Sequence, residues 1–184
     1  MRVILSTALL ACLASAAYAA DDENPFHKAK LGDWAEYTMS GPNVSGTTKM
    51  TITAKDDKEV TYEITSKFSA FGQETVAPVQ KIKVDLSKSY DPVIAGNLKS
   101  NSTKIETLRE GSEKVKVAGK EIDAKWTNQR ATTTVNDMKI VTDTKMWLSK
   151  DVPVSGLVKM ESTTTGVGSA GTTSTVELVN SGSK

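Results

Sequence analysis

Beyond residue 30 the dominant pattern is apolar and polar residues alternating with a period of two. In Met50-Thr51-Ile52-Thr53-Ala54 the apolar residues take every second position and threonines fill the gaps. Val60-Thr61-Tyr62-Glu63-Ile64 repeats this after Asp56-Asp57-Lys58, a polar turn of hairpin length. Strand side chains alternate between the two faces of a sheet, so each segment predicts a strand with one buried face and one wet face. The two together predict an antiparallel hairpin. Ile82 to Leu86, Val115 to Val117, Ile122 to Trp126, Thr132 to Val135, Lys139 to Leu148, Leu157 to Ser162 and Thr173 to Val179 continue the pattern.

Helical signals are sparse. Asp91-Pro92 can cap a short helix, although Gly96 weakens it, and Phe26 to Leu31 suits a single turn before Gly32. Thr163 to Ser174 is rich in Gly, Ser and Thr and predicts a flexible hairpin loop. About ten strands with polar faces cannot form a parallel sheet buried on both sides. The expectation is therefore mainly β: a curved antiparallel sheet, half-barrel or sandwich, built as a meander with at most one or two short helices.

The first stretch of the 184 residues differs from the rest. Arg2 precedes an apolar run from Val3 to Leu13, and Ala17-Tyr18-Ala19 offers a small-x-small cleavage site ahead of Asp21-Asp22-Glu23. This predicts a signal peptide over residues 1–19 and a single β-rich domain over 20–184, periplasmic or secreted after cleavage near Ala19. The apolar run is too short to cross a bilayer as a mature helix, so no transmembrane segment is expected in the mature chain. Cys12, the sole cysteine, lies in Leu9-Leu10-Ala11-Cys12, which faintly resembles a lipobox; lipid anchoring there is the less favoured route. Removing the leader takes a net charge of +1 to about zero. A neutral chain with no basic block gives no reason to expect nucleic acid as a partner.

Candidate chemistry is thin. Gly166-Val167-Gly168-Ser169-Ala170-Gly171 matches the dinucleotide fingerprint by letter, but a strand pattern follows it instead of a helix. His27 is the only histidine, lies near the mature N-terminus, and reads as a solvated surface residue. Lys83/Asp85 and Glu121/Asp123/Lys125 alternate as a wet strand face does. No calcium loop is present, and no metal or organic cofactor is expected. Asn43-Val44-Ser45 and Asn101-Ser102-Thr103 are formal glycosylation sequons that arise readily by chance in such a chain.

The tryptophans say more. Trp34 belongs to the first strand, and Trp126 ends the Ile122/Ala124 face and is expected in the core. Trp147 is out of phase with Met146 and Leu148. Either that strand is buried on both faces, or Trp147 lines a cavity or an exposed patch.

Lys145-Met146-Trp147-Leu148-Ser149-Lys150-Asp151-Val152-Pro153 followed by Gly156-Leu157-Val158-Lys159-Met160 resembles a W-x-S-x-D-V-P…G-L-V-K segment of uncharacterised secreted bacterial β-rich proteins. Gly111 to Ile122 is similar to a strand–Gly–strand segment of the same proteins. The pattern is also distantly similar to periplasmic lipoprotein-carrier half-barrels. That likeness implies a curved sheet over an apolar cavity and a lipid-type ligand, with no catalytic residues to carry over.

The expectation is thus a non-catalytic exported envelope protein binding an apolar or lipid-like ligand in a half-barrel. Trp126, Met146, Trp147 and Met160 are the candidate ligand-binding residues, chosen for size, apolar character and the phase conflict at 146–148. The alternative is a structural or protein-interaction module of the envelope with no ligand cavity, whose partner is another envelope protein. An enzyme is not expected, since one histidine and no mature cysteine leave only carboxylate or Ser–Lys chemistry.

Overall fold

The computed structural model describes residues 24–88, 103–135, 138–166 and 169–183. Within them ten strands form one curved, unclosed antiparallel sheet. The first group is β1 (Trp34–Gly41), β2 (Val44–Lys55), β3 (Glu59–Ala70), β4 (Gln73–Val76) and β5 (Gln80–Asp85). The second is β6 (Thr103–Val117), β7 (Lys120–Val135), β8 (Met138–Leu148), β9 (Leu157–Gly166) and β10 (Ser169–Gly182). Each group is a meander of hairpins. They join where β1 pairs with β10, from Trp34↔Gly182 to Ser40↔Thr175, so the first and last strands lie side by side mid-sheet. β4 and β5 share one edge by pairing with opposite halves of β3, and β6 forms the other edge. The curl brings part of β6 back within 8 Å of β10.

Alternation explains the core. Ala35, Tyr37 and Met39 of β1 are buried while their neighbours are not, and Thr48, Met50 and Ile52 of β2 lie across from Tyr37, Ala35 and the turn before β1. Tyr62 and Ile64 of β3, Met160 of β9 and Val176 and Leu178 of β10 continue the same face. Polar residues on this face are paired: Thr48 shares a hydrogen bond with Ser66 at 2.8 Å, and Thr144 with Ser162 at 3.1 Å. A buried hydroxyl is tolerated only with such a partner.

Two chain segments cover this face. A short 3₁₀ turn, Pro25–His27, stacks Phe26 on Tyr62 with ring centroids 5.3 Å apart. Lys55 Nζ donates to the carbonyls of Phe26 (3.2 Å), His27 (2.6 Å) and Ala29 (2.7 Å), fixing the segment to the end of β2. The second cover is the loop between β8 and β9. It closes with the Ser149 amide donating to the Gly156 carbonyl at 2.8 Å and buries Val152 and Val154. Val154, Ser155 and Gly156 all have positive φ. The Tyr37 hydroxyl donates to the Leu157 carbonyl at 3.2 Å, and burial pushes its pKa well above the ordinary phenol value.

Two expectations need correction. Thr163 to Ser174 is not a loop, because β9 runs to Gly166 and β10 starts at Ser169. Threonine's branched Cβ suits a strand, and the hydroxyls pair across it, Thr142 with Thr164 at 3.1 Å and Thr163 with Thr173 at 3.2 Å. The helical turn is confined to Pro25–His27 and does not reach Leu31. The expected helix at Asp91-Pro92 and the leader with Cys12 lie outside the described residues.

Candidate functional site

The phase conflict at residues 146–148 resolves as burial on both faces. Met146 packs into the core opposite Met160, both nearly inaccessible, while Trp147 faces the other way and is 6% exposed. Side chains of its own strand and of the neighbouring ones cover it. Lys145 Nζ lies 4.3 Å from the Trp147 ring centroid and 4.4 Å from that of Trp126, and Lys159 Nζ lies 5.4 Å from Trp147. An ammonium over an indole face is attracted by the ring quadrupole, and the lysine stems shield the apolar ring from water. The indole N–H of Trp147 donates to Glu113 Oε1, which also accepts from Lys145 Nζ at 3.1 Å. These two bonds, the indole one first, hold the Glu113 carboxyl below the ordinary glutamate pKa.

Trp126 of β7 pairs with Gly111 of β6. A Cβ at residue 111 would come within 2.7 Å of the indole, so this position accepts only glycine while the ring lies over it. Trp126 is half-buried and packs against the core instead of lying within it.

Beside Trp126 opens a cleft of about 1310 Å³. Its walls are the stretches of β6 and β7 on the hairpin side (Glu110 to Lys114, Asp123 to Thr127), the loop from Leu148 to Pro153, and the N-terminal segment that holds Ala29 and Asp33. Buried Ala29, Ala124, Leu148 and Val152, with Trp126, supply apolar wall; exposed Lys30, Lys114, Lys150, Glu110, Asp123 and Asp151 ring the opening. Such a site suits a molecule with an apolar body and a polar end. Of the four sequence candidates, Trp126 lines the cleft and Trp147 adjoins it through Glu113, while Met146 and Met160 lie in the core away from the lining. Glu113 and Asp33 line it without having been singled out by spacing. Among the described residues no group of three His, Cys, Asp or Glu is placed to hold a metal ion, and no helix is long and apolar enough to cross a membrane.

The fold has solved counterparts. One is a predicted exported protein with a YmcC-like fold from Bacteroides fragilis, at TM-score 0.51 and 7% identity, the match covering 84% of this chain and 97% of that one. Another is a predicted lipoprotein from Parabacteroides distasonis, at TM-score 0.51 and 10% identity, covering 88% and 100%. At such identities the likeness is one of fold alone. No protein-family model and no curated protein sequence matches the chain.

Proposed function

We propose that the protein is a non-catalytic, extracytoplasmic component of the cell envelope that holds an amphipathic, lipid-like ligand in the cleft beside Trp126. The observation that carries this reading is the cleft itself: apolar wall from the N-terminal segment, β7 and the β8–β9 loop, with exposed charged side chains around it. The leader-like N-terminus and the exported and lipoprotein descriptions of the two fold neighbours support the location. The face carrying Met146 and Met160 is filled by Phe26, Tyr62, Val152 and Val154, which turns attention from the sheet's main face to its end.

Trp126 is the one tryptophan on the lining and reports on occupancy. Titration with an uncharged monoacylglycerol brominated along its chain should quench the fluorescence saturably, and Trp126→Phe should remove most of that quenching. Absence of saturable quenching, with no bound molecule in native mass spectra of protein from its own host, would count against the cleft as a ligand site. The second reading, an interaction module, draws on β6, an open edge of 15 residues bearing exposed Ile105 and Leu108.

A further inference from the structure

The turn that leads into β1 holds a carboxylate that is only half satisfied. Asp33 is 3% exposed. Its Oδ2 accepts the Lys30 amide at 2.7 Å, while Oδ1 is buried and has no hydrogen-bond partner. The residue cannot easily turn away. Its own amide donates to the Lys30 carbonyl at 3.0 Å, and its carbonyl accepts from the Ile52 amide at 2.8 Å. An acceptor left unpaired in the interior is costly, and in native proteins such an atom calls for an explanation. Asp33 is also one of the residues that line the cleft. Exposed lysines such as Lys30 and Lys150 stand on the same lining, yet none reaches Oδ1.

We propose that Asp33 is the polar anchor for the cleft's ligand and that the group it takes is a primary ammonium on an otherwise apolar molecule. This rests on the reading of the cleft as an amphiphile site. An ammonium supplies both the positive charge and the N–H donor that a carboxylate oxygen lacks here, and a charge-assisted bond is the strong form of that contact. It is also a compact point charge, which suits an acceptor as crowded as this one. The apolar walls, with Trp126, Ala124 and Val152, then take the chain.

Two probes separate these ideas: dodecylammonium and dodecyltrimethylammonium, titrated below their micelle concentrations against the mature protein. They share chain length and charge, and only the first donates an N–H. The expected result is about tenfold tighter binding of the primary amine. Asp33→Asn should bring the ratio close to one with the quaternary compound's affinity unchanged. Asparagine keeps an acceptor for the Lys30 amide, so an unchanged melting temperature confirms that the turn survives. Equal affinities for the native protein, or a preference that persists in Asp33→Asn, overturns the anchor and leaves the cleft reading standing. Failure of both amphiphiles to bind removes the anchor and the cleft reading together.

Discussion

Phe71 occupies a position that its own chemistry disfavours. Ala70 pairs with Gln73, so Phe71 and Gly72 are the two central residues of a hairpin turn, with φ of 52° and 79°. Positive φ at both positions is the type I′ requirement, which Asn-Gly meets best. For a residue with a large side chain that backbone costs roughly 1–2 kcal/mol. Phe71 recovers little in packing, being 71% exposed. Phe71→Asn should therefore stabilise the protein by about 1 kcal/mol, read as a rise in melting temperature of about 2–4 °C. A fall instead would mean that the ring makes a compensating contact. The neighbouring turn, where Asn43 takes φ of 62°, already carries the residue that suits it.

Among the elements, those legible in the sequence were strands with an apolar stripe. Met50/Ile52 and Val60/Tyr62/Ile64 announce β2 and β3 because one face is buried along its length. β6 lacks that stripe. Thr103 to Lys114 alternates mostly charged and polar residues, since an edge strand exposed along most of its length has little apolar surface to hide. β4, wholly exposed, was invisible for the same reason, and the threonines of β9 and β10 imitate a loop by composition. The candidate site was legible only at Trp126. Its other walls come from residues 24–33, 110–114 and 148–153, and no spacing along the chain encodes that meeting. Lys55 ties the N-terminal segment to β2 at three points, its ammonium meeting the carbonyls of Phe26, His27 and Ala29. Lys55→Met should loosen it by about 1–2 kcal/mol, seen as faster amide hydrogen exchange around Ala29 with the β1–β2 ladder unchanged. Unaltered exchange at Ala29 would show that the Phe26–Tyr62 stack suffices.

For the whole molecule, the decisive contact is the one between the first strand and the last. Without β10, the β1 and β9 edges both stand open, and the two meanders share no strand pairing. A chain ending after residue 166 should lose cooperative unfolding by circular dichroism and aggregate through those edges. A sharp transition in that truncation would show each meander to be a stable unit. The β1–β10 pairing also orders events in time. Tyr37 meets Leu178 only after every strand between them has been synthesised, and such distant pairings form slowly. Up to that moment the growing chain has no complete sheet to lock into. In this topology each meander can pair its own strands early, and the sheet as a whole is sealed by its last strand.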